Sequence, residues 1–466
     1  MRADSGPYMA SDLARACRGV MVSGEGTVVF DGISTDSRNI KKNDLFVPLK
    51  GANFDGHDFL LPALEAGARG SLVDRDVDRD ILQSLTRPVL IQVQDTLLAL
   101  SDLASAHRSV YSIPLIAVTG SSGKTTVKEM IAAVLKRTHS PLVSQGNLNN
   151  MVGLPMTVLN LGPRHTAAVV EAGINGIGEM DALARAAAPD VTVITTVGPV
   201  HLEGLGSIEN VAREKFKLVL ALSARGTAVL PARNPYLEPL LSKSPAKVVT
   251  FGVDSGDFRA TRVEIGEETR FELIHPAGRQ EMRLVVPGRH NVANALAVAA
   301  ACSSLGIGLE EVAEALSRFV PPEMRMEIVS LRGDRTLIRD CYNANPQSTA
   351  AALEVLAANG NRGKTLAVLA DMMELGEHAE ELHEETGRRA AELGINRVVF
   401  VGKFGKAFCK GFVSAGGDVR SVVPAPDKDS AWDLIRSDLN GFDIILVKGS
   451  RAMRMEVMAD RILEEN

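Results

Sequence analysis

An α/β protein of three domains is predicted: a small mixed α/β N-terminal domain, a central domain built on a parallel sheet, and a C-terminal Rossmann-like domain. Three observations carry this. At 466 residues the chain exceeds what one hydrophobic core usually serves. From Ile113 onward, apolar runs of strand length alternate with amphipathic helical stretches, the pattern of buried parallel strands joined by crossover helices. That pattern is interrupted after Gly252 by polar–apolar alternation and again by the double proline Pro321 and Pro322. The boundaries expected are 1–95, 96–320 and 321–466.

From Val28 to Val93, short apolar runs (VVFDGIS, DLFVPLKG, GSLVD, VLIQV) surround the helix-like FLLPALEAGA. In the central part, PLIAVTG, AAVVEAG, VTVITTVG and GTAVLPA read as buried strands, and TTVKEMIAAVLKRTH and IENVAREKFKLVLAL as helices. DFRATRVEIGEETRFELIHPAGRQEMRLVV predicts appended antiparallel strands before the helix NVANALAVAAACSSLG. Beyond the prolines, TLIRDCYN, TLAVLAD, RVVFVG and DIILVKGS alternate with STAAALEVLAAN and AEELHEETGRRAAELG, a second doubly wound unit.

Composition narrows the function classes. A formal charge of −6 without a Lys or Arg run opposes a nucleic-acid surface, which needs clustered cations. The four cysteines (Cys17, Cys302, Cys341, Cys409) are widely spaced and form no paired-ligand motif, so buried free thiols in a reducing compartment are expected. No signal-like segment opens the sequence and no run of membrane-spanning length occurs, which predicts a cytoplasmic protein.

The segment IAVTGSSGKTTVKEM supplies strand, glycine turn, Lys-Thr-Thr and helix in the order a phosphate cradle requires, making the central domain an ATPase-like phosphate-loop unit. Gly120 and Gly123, with Ser121 and Ser122, let backbone N–H groups approach an anion. Lys124 reaches the β- and γ-phosphates, and Thr125, beside Thr126, offers a hydroxyl to Mg²⁺. A strict G-x-x-x-x-G-K-[ST] loop has glycine where this chain has Val118. Phosphoryl transfer also needs further oxygen or imidazole ligands, and Glu171 and His201 follow apolar runs where strands end at an α/β site. Taken alone, Glu171 reads rather as a solvated strand end and His201 as a loop residue making a backbone hydrogen bond.

Joined to STDSR, FDGHDF, GNLNNMVGLP, EAGINGIGEM, TTVGPVHLEGLGS, GRHNVANA, DCYNANP, ADMMELGEH and VKGSRAM, the phosphate loop makes nearly the whole chain resemble the Mur ligases. That family uses TG-[ST]-x-GKT, which accommodates Val118. The resemblance implies ATP and two magnesium ions as cofactors, with Thr125, Glu171, His201 and Lys215 as metal-associated residues. Lys215 would act as a carbamate, which needs a neutral amine and hence burial near cations. By its helix alone, Lys215 reads as a solvent-facing lysine.

The resemblance further implies nucleotide contacts from Asn291, Asn294, Arg325, Asp340, Tyr342 and Asn345, with Arg325 also facing γ-phosphate charge. Helix capping is the other reading of Asn291 and Asn294. Ser34, Thr35, Asp36, Ser37 and Arg38, with Asp55, Gly56 and His57, would hold the UDP-sugar part of a UDP-N-acetylmuramoyl-tripeptide, although their composition also fits ordinary turns. Asn147, Asn149 and Asn150 would reach its peptide. Asp371, Met372, Glu374, Leu375, Lys448, Ser450 and Arg451 would contact D-alanyl-D-alanine.

The reaction so implied is amide ligation through an acyl phosphate, on a monomer with small-molecule partners and no nucleic acid. The chemistry needs no enzyme nucleophile, and no Ser/His/Asp set is evident. Two rivals differ in class: another amide ligase of the family, and a regulatory module that binds ATP without ligating.

Overall fold

The computed structural model describes residues 1–465 except 5, 52, 78–86, 267 and 360–362. Among the described residues three large sheets follow one another along the chain, with a two-stranded pair, Tyr8–Met9 and Val29–Phe30, beside the first. In the first, Gly32–Ser34, Asp44–Phe46, Gly70–Val73 and Val89–Gln92 run parallel, extended at one edge by Arg2–Ala3 and at the other by Val20–Ser23, both antiparallel. The inner four are the apolar runs read from the sequence. The edges carried no signal, because a two-residue strand has no periodicity and Val20 and Val22 turn exposed faces outward.

The central sheet has nine strands, with Leu115–Thr119 lying between Ala167–Glu171 and Val191–Ile194. All five residues of Leu115–Thr119 are buried, as a strand covered by helices on both faces must be. Register places Glu171 opposite Val118 and Ile194 opposite Thr119, so all three strands end level with the start of the phosphate loop. Pro141–Val143 lies parallel at one edge, Thr227–Pro231 and Lys247–Gly252 continue the sheet on the other side, and Phe258–Ile265, Thr269–His275 and Gly278–Leu284 complete it, the last two pairings antiparallel as expected.

The helix Thr96–Ser109 starts at Asp95, whose carboxylate accepts the Leu98 N–H, and is fastened to the central domain at its far end. There the buried Arg108 guanidinium donates to Ile113 O at 2.8 Å and to the Asp190 carboxylate at 2.9 Å, while Asp190 also accepts Leu115 N–H. Among the described residues no helix is long and apolar enough to cross a membrane, and all four cysteines are free.

In the C-terminal sheet, Arg335–Arg339, Ile444–Lys448, Thr365–Ala370, Arg397–Val401 and Val422–Ala425 lie parallel, with Glu327–Leu331 antiparallel at the edge. Helices Ala379–Glu392 and Gly405–Ser414 cross closely at Gly387 and Gly411. A Cβ on Gly387 would collide with Phe408 O, and one on Gly411 with Glu384 O, both backbone atoms that cannot swing aside. Alanine ordinarily favours a helix interior over glycine by about 1 kcal/mol. Here overpacking outweighs it: Gly387→Ala and Gly411→Ala are each expected to destabilise the domain by about 1–3 kcal/mol, read as a lower denaturation midpoint. A midpoint that rises would show that the helices can part without loss.

Candidate active site

The phosphate loop is shaped by glycines that nothing larger could replace. Gly120 has φ 151°, and a Cβ there would strike Thr195 Oγ1; Gly123 has φ 81°, and its Cβ would lie 2.7 Å from Asn294 Oδ1. The loop is pinned to the neighbouring strand end. Ser121 N donates to Thr196 O at 2.9 Å, Ser122 N to Thr196 Oγ1 at 3.0 Å, and Ser121 Oγ to Gly198 O at 3.1 Å. Lys124 Nζ donates to Gly120 O at 2.8 Å, folding the ammonium back over the loop that an anion would occupy. Lys124 opens the helix Lys124–Leu135, whose free N–H groups and dipole favour negative charge, and Thr126 sits half-buried in the same first turn.

Behind the loop, Thr125 Oγ1 donates to Glu171 Oε2 at 2.8 Å and Asn149 Nδ2 to Glu171 Oε1 at 2.8 Å. Both oxygens of a buried carboxylate are therefore oriented. Lys215 is 1% exposed on the helix Ile208–Leu220, which Ser207 caps. It shares a buried face with Val211 and Val219, four residues either side. The solvent-facing alternative for Lys215 is therefore corrected: the apolar spacing around it, visible in the sequence, put it inward. Burial first, and then the Lys124 charge, push the Lys215 amine well below the ordinary lysine value, with Glu171 opposing. Burial also lowers Lys124, opposed by Glu171 and reinforced by Arg325.

The last domain closes the front. Asn345 Nδ2 donates to Ser121 O at 3.1 Å and Gln347 Nε2 to Val197 O at 3.2 Å. His201 Nδ1 meets the Glu374 carboxylate, and Glu203 N donates to Glu374 O at 3.2 Å. Ser121, Lys124, His201, Asn345, Glu374 and Arg451 are among the residues around the resulting cavity of about 150 Å³. Leu375 and Ser450 line it as well. Arg325 stacks over Tyr342 at 4.1 Å, with Arg451 beside the same ring at 5.9 Å.

Several expected contacts prove to be engaged elsewhere. Lys448 is 2% exposed, and its ammonium is held by Asp340 Oδ2 at 2.6 Å and Asn343 O at 3.0 Å, so it acts through those neighbours rather than presenting itself to a ligand. Asp371 accepts Lys403 N and Phe404 N, and Met372 is buried with its sulfur on Thr349 Oγ1; both back the wall that Glu374 and Leu375 face. Asn150 Oδ1 accepts Gly153 N at 2.8 Å, capping a helix start, while Asn147 is exposed. Asn291 and Asn294 are not caps: they lie inside the helix Arg289–Ser304, where Asn291 Nδ2 donates to Pro287 O and Asn294 Nδ2 to Asn291 Oδ1.

The N-terminal candidates form a group of their own. Ser34 Oγ donates to Met1 O, and the Met1 ammonium approaches Thr35 Oγ1 at 3.4 Å. Asp36 caps the short turn Ser37–Asn39, and the Arg38 guanidinium beside it holds its carboxyl down at about 2. Asp55 binds the buried His57 ring at 2.8 Å and Arg75, with Gly56 buried between them in the turn; hydrogen bonds from His57 keep that carboxyl low. Residues not foreseen as site builders include Thr195, Thr196, Gly198, Gln347 and Arg75. The two threonines and the glycine sit inside the quoted TTVG segment, but nothing local marks them as partners of the loop.

Gly120→Ala is expected to weaken nucleotide binding at least about tenfold in calorimetry, since the loop must shift from Thr195 and loses aligned donors. Unchanged affinity in a folded variant would show that the glycine conformation is not what shapes the cradle.

Comparison with known proteins agrees with this geometry. Three family models match: the Mur ligase family catalytic domain over 29–108, the Mur ligase middle domain over 118–302, and the Mur ligase glutamate ligase domain over 324–451. The chain is 35% identical over 438 residues to the UDP-N-acetylmuramoyl-tripeptide--D-alanyl-D-alanine ligase of Bacillus subtilis, covering 94% of each chain. A crystal structure of MurF from Acinetobacter baumannii superposes with a TM-score of 0.90 at 31% identity, over 99% of this chain and 100% of that one. MurF ligase from Thermotoga maritima, solved with ADP, gives a TM-score of 0.82 at 26% identity over 93% and 97%. A phosphate loop with its strand-end carboxylate and buried lysine, set within three matched domains, places this chain in the Mur ligase family, on its MurF branch.

Proposed function

We infer that this chain joins D-alanyl-D-alanine to the free carboxylate of UDP-N-acetylmuramoyl-tripeptide, consuming ATP and giving the pentapeptide precursor, ADP and phosphate in cytoplasmic peptidoglycan precursor synthesis. The observation that carries it is the meeting of Lys124 and Lys215 near one oriented carboxylate, Glu171, at the mouth of a phosphate loop, with the Arg325 charge acting on Lys124. Basic side chains that outnumber the one opposing carboxylate form a site that is completed by a polyanion.

The γ-phosphoryl group passes to the tripeptide carboxylate, breaking its bond to the ADP oxygen. The dipeptide amine then attacks the acyl carbon, loses a proton, and phosphate departs. Lys124 and the helix N-terminus stabilise negative charge on the transferring group, with Arg325 steadied by the Tyr342 ring. Asn291 and Asn294 behind Gly123, and Asp340 with Tyr342 and Asn345 in front, hold the rest of the nucleotide. The Ser34–Arg38 and Asp55–His57 groups take the UDP-sugar, and Glu374, Leu375, Ser450 and Arg451 the dipeptide.

Thr125 and Glu171 fit magnesium: they are hard oxygen donors in hydrogen-bond contact at the phosphate end of the site, and magnesium is commonly held by one or two carboxylates together with substrate phosphates. Bound there, the ion would neutralise charge on the transferring oxygens. The low-pKa, buried Lys215 amine suits carbamate formation, which would give the second magnesium of the proposed pair an anionic oxygen, with His201 as a further ligand.

In an assay of phosphate release, turnover is expected with UDP-sugar tripeptide plus D-alanyl-D-alanine and not with single amino acids, nor with folate plus glutamate. Lys124→Ala and Lys215→Ala should each lower kcat by about a thousandfold or more, with short-chain carboxylates restoring part of the Lys215→Ala loss. Turnover of either variant at the normal rate would overturn the assignment. Because Asn345 bridges the last domain to the phosphate loop and Gln347 bridges it to Val197 beside that loop, nucleotide and substrates together should also compact the protein. Solution scattering with and without ligands reads this, and superimposable profiles would refute it.

A further inference from the structure

We propose that His383 is a positioning residue for the dipeptide: from behind the site it fixes the path of residues 371–375, whose front face forms the wall described above. This rests on that wall being the dipeptide subsite. His383 lies on the helix Ala379–Glu392 and is 0% exposed, so it touches no substrate. Its Nε2 accepts the Met372 N–H at 2.9 Å, and its Nδ1 lies 2.6 Å from Ala379 O. These partners demand one neutral tautomer, protonated on Nδ1 and bare on Nε2. Burial, which lowers the imidazole pKa, favours the same neutral form.

The ring is also stacked on Phe404, centroids 4.5 Å apart, and Phe404 N donates to the Asp371 carboxylate at 3.0 Å. One histidine thus braces the wall segment directly at Met372 and indirectly at Asp371. On the opposite side Met373 N donates to Ser450 Oγ at 2.9 Å. Successive N–H groups are therefore clamped from back and front, and the next residue, Glu374, is held at φ 64°, a left-handed backbone that a glutamate adopts only when its surroundings enforce it. That conformation aims Glu374 at His201, and Leu375 follows into the cavity wall. An apolar side chain could fill the space of the imidazole; only an acceptor at the Nε2 position can hold the Met372 N–H.

Full-length His383→Gln, His383→Asn and His383→Leu separate the roles. Glutamine can place its carbonyl oxygen near the Nε2 position, whereas asparagine reaches only the Nδ1 position and leucine supplies no acceptor. Steady-state kinetics should show the KM for D-alanyl-D-alanine raised about tenfold in the asparagine and leucine variants, the loss of one buried hydrogen bond. The KM values for ATP and for UDP-sugar tripeptide should stay within about twofold, and the glutamine variant should return the dipeptide KM to within about threefold of the parent. The asparagine variant keeps the test open should leucine prevent folding. Equal behaviour of the glutamine and asparagine variants, or a loss spread over all three KM values, would overturn the proposal. A parent enzyme that ligates no dipeptide would instead sink the functional assignment on which it rests.

Discussion

Two lysine amines confined in one desolvated space at the edge of the central sheet set the terms for the surrounding architecture. Burial lowers the proton affinity of both Lys124 and Lys215, the Lys124 charge lowers that of Lys215 further, and Glu171 is the carboxylate that opposes both. Such crowding is unfavourable without an anion and strongly favourable with one. The remaining devices keep that space in shape: two glycines with positive φ, a pair of threonines that grip the loop backbone, and an asparagine and a threonine that orient both oxygens of Glu171.

The front of the site is held differently from the back. Behind the loop, the parallel register of three adjacent strands fixes Glu171 and Thr195 with respect to Thr119, leaving little freedom. In front, the last domain touches the phosphate loop through Asn345, and the neighbouring segment after Ile194 through Gln347 on Val197 and Glu374 on His201. His201 and Glu374 both carry positive φ, at 50° and 64°. Strain of this sort, about 1–3 kcal/mol for each residue, persists where other contacts over-determine the backbone and concentrates where segments must switch. A rigid rear wall and a releasable front wall are what an enzyme needs if it is to admit three substrates and then exclude water from an acyl phosphate.

Buried polar groups in the last domain follow one logic. Lys448 on Asp340 and Asn343, Asp371 on the 403–404 backbone, and His383 on Met372 each satisfy a buried donor or acceptor while fixing a loop. The loops so fixed, around 343–345, 371–375 and 450–451, supply one side of the cavity. Lys448 and Asp371, expected as substrate contacts, thus stand behind the wall of the cavity.

Fold class, the order of the buried strands and the phosphate loop were legible in the sequence because each depends on local pattern: strand-length apolar runs, helical periodicity, and a glycine turn before Lys-Thr. The inward face of Lys215 was also encoded, by Val211 and Val219 four residues away. Tertiary structure decided the rest. That Asn149 orients Glu171, that Thr195 leaves no room beside Gly120, and that Lys448 belongs to Asp340 all depend on distances between segments remote in the chain. Residue type and spacing determine which groups can do chemistry, but a hydrogen bond is made by separation and direction in space, which strand register and domain packing set.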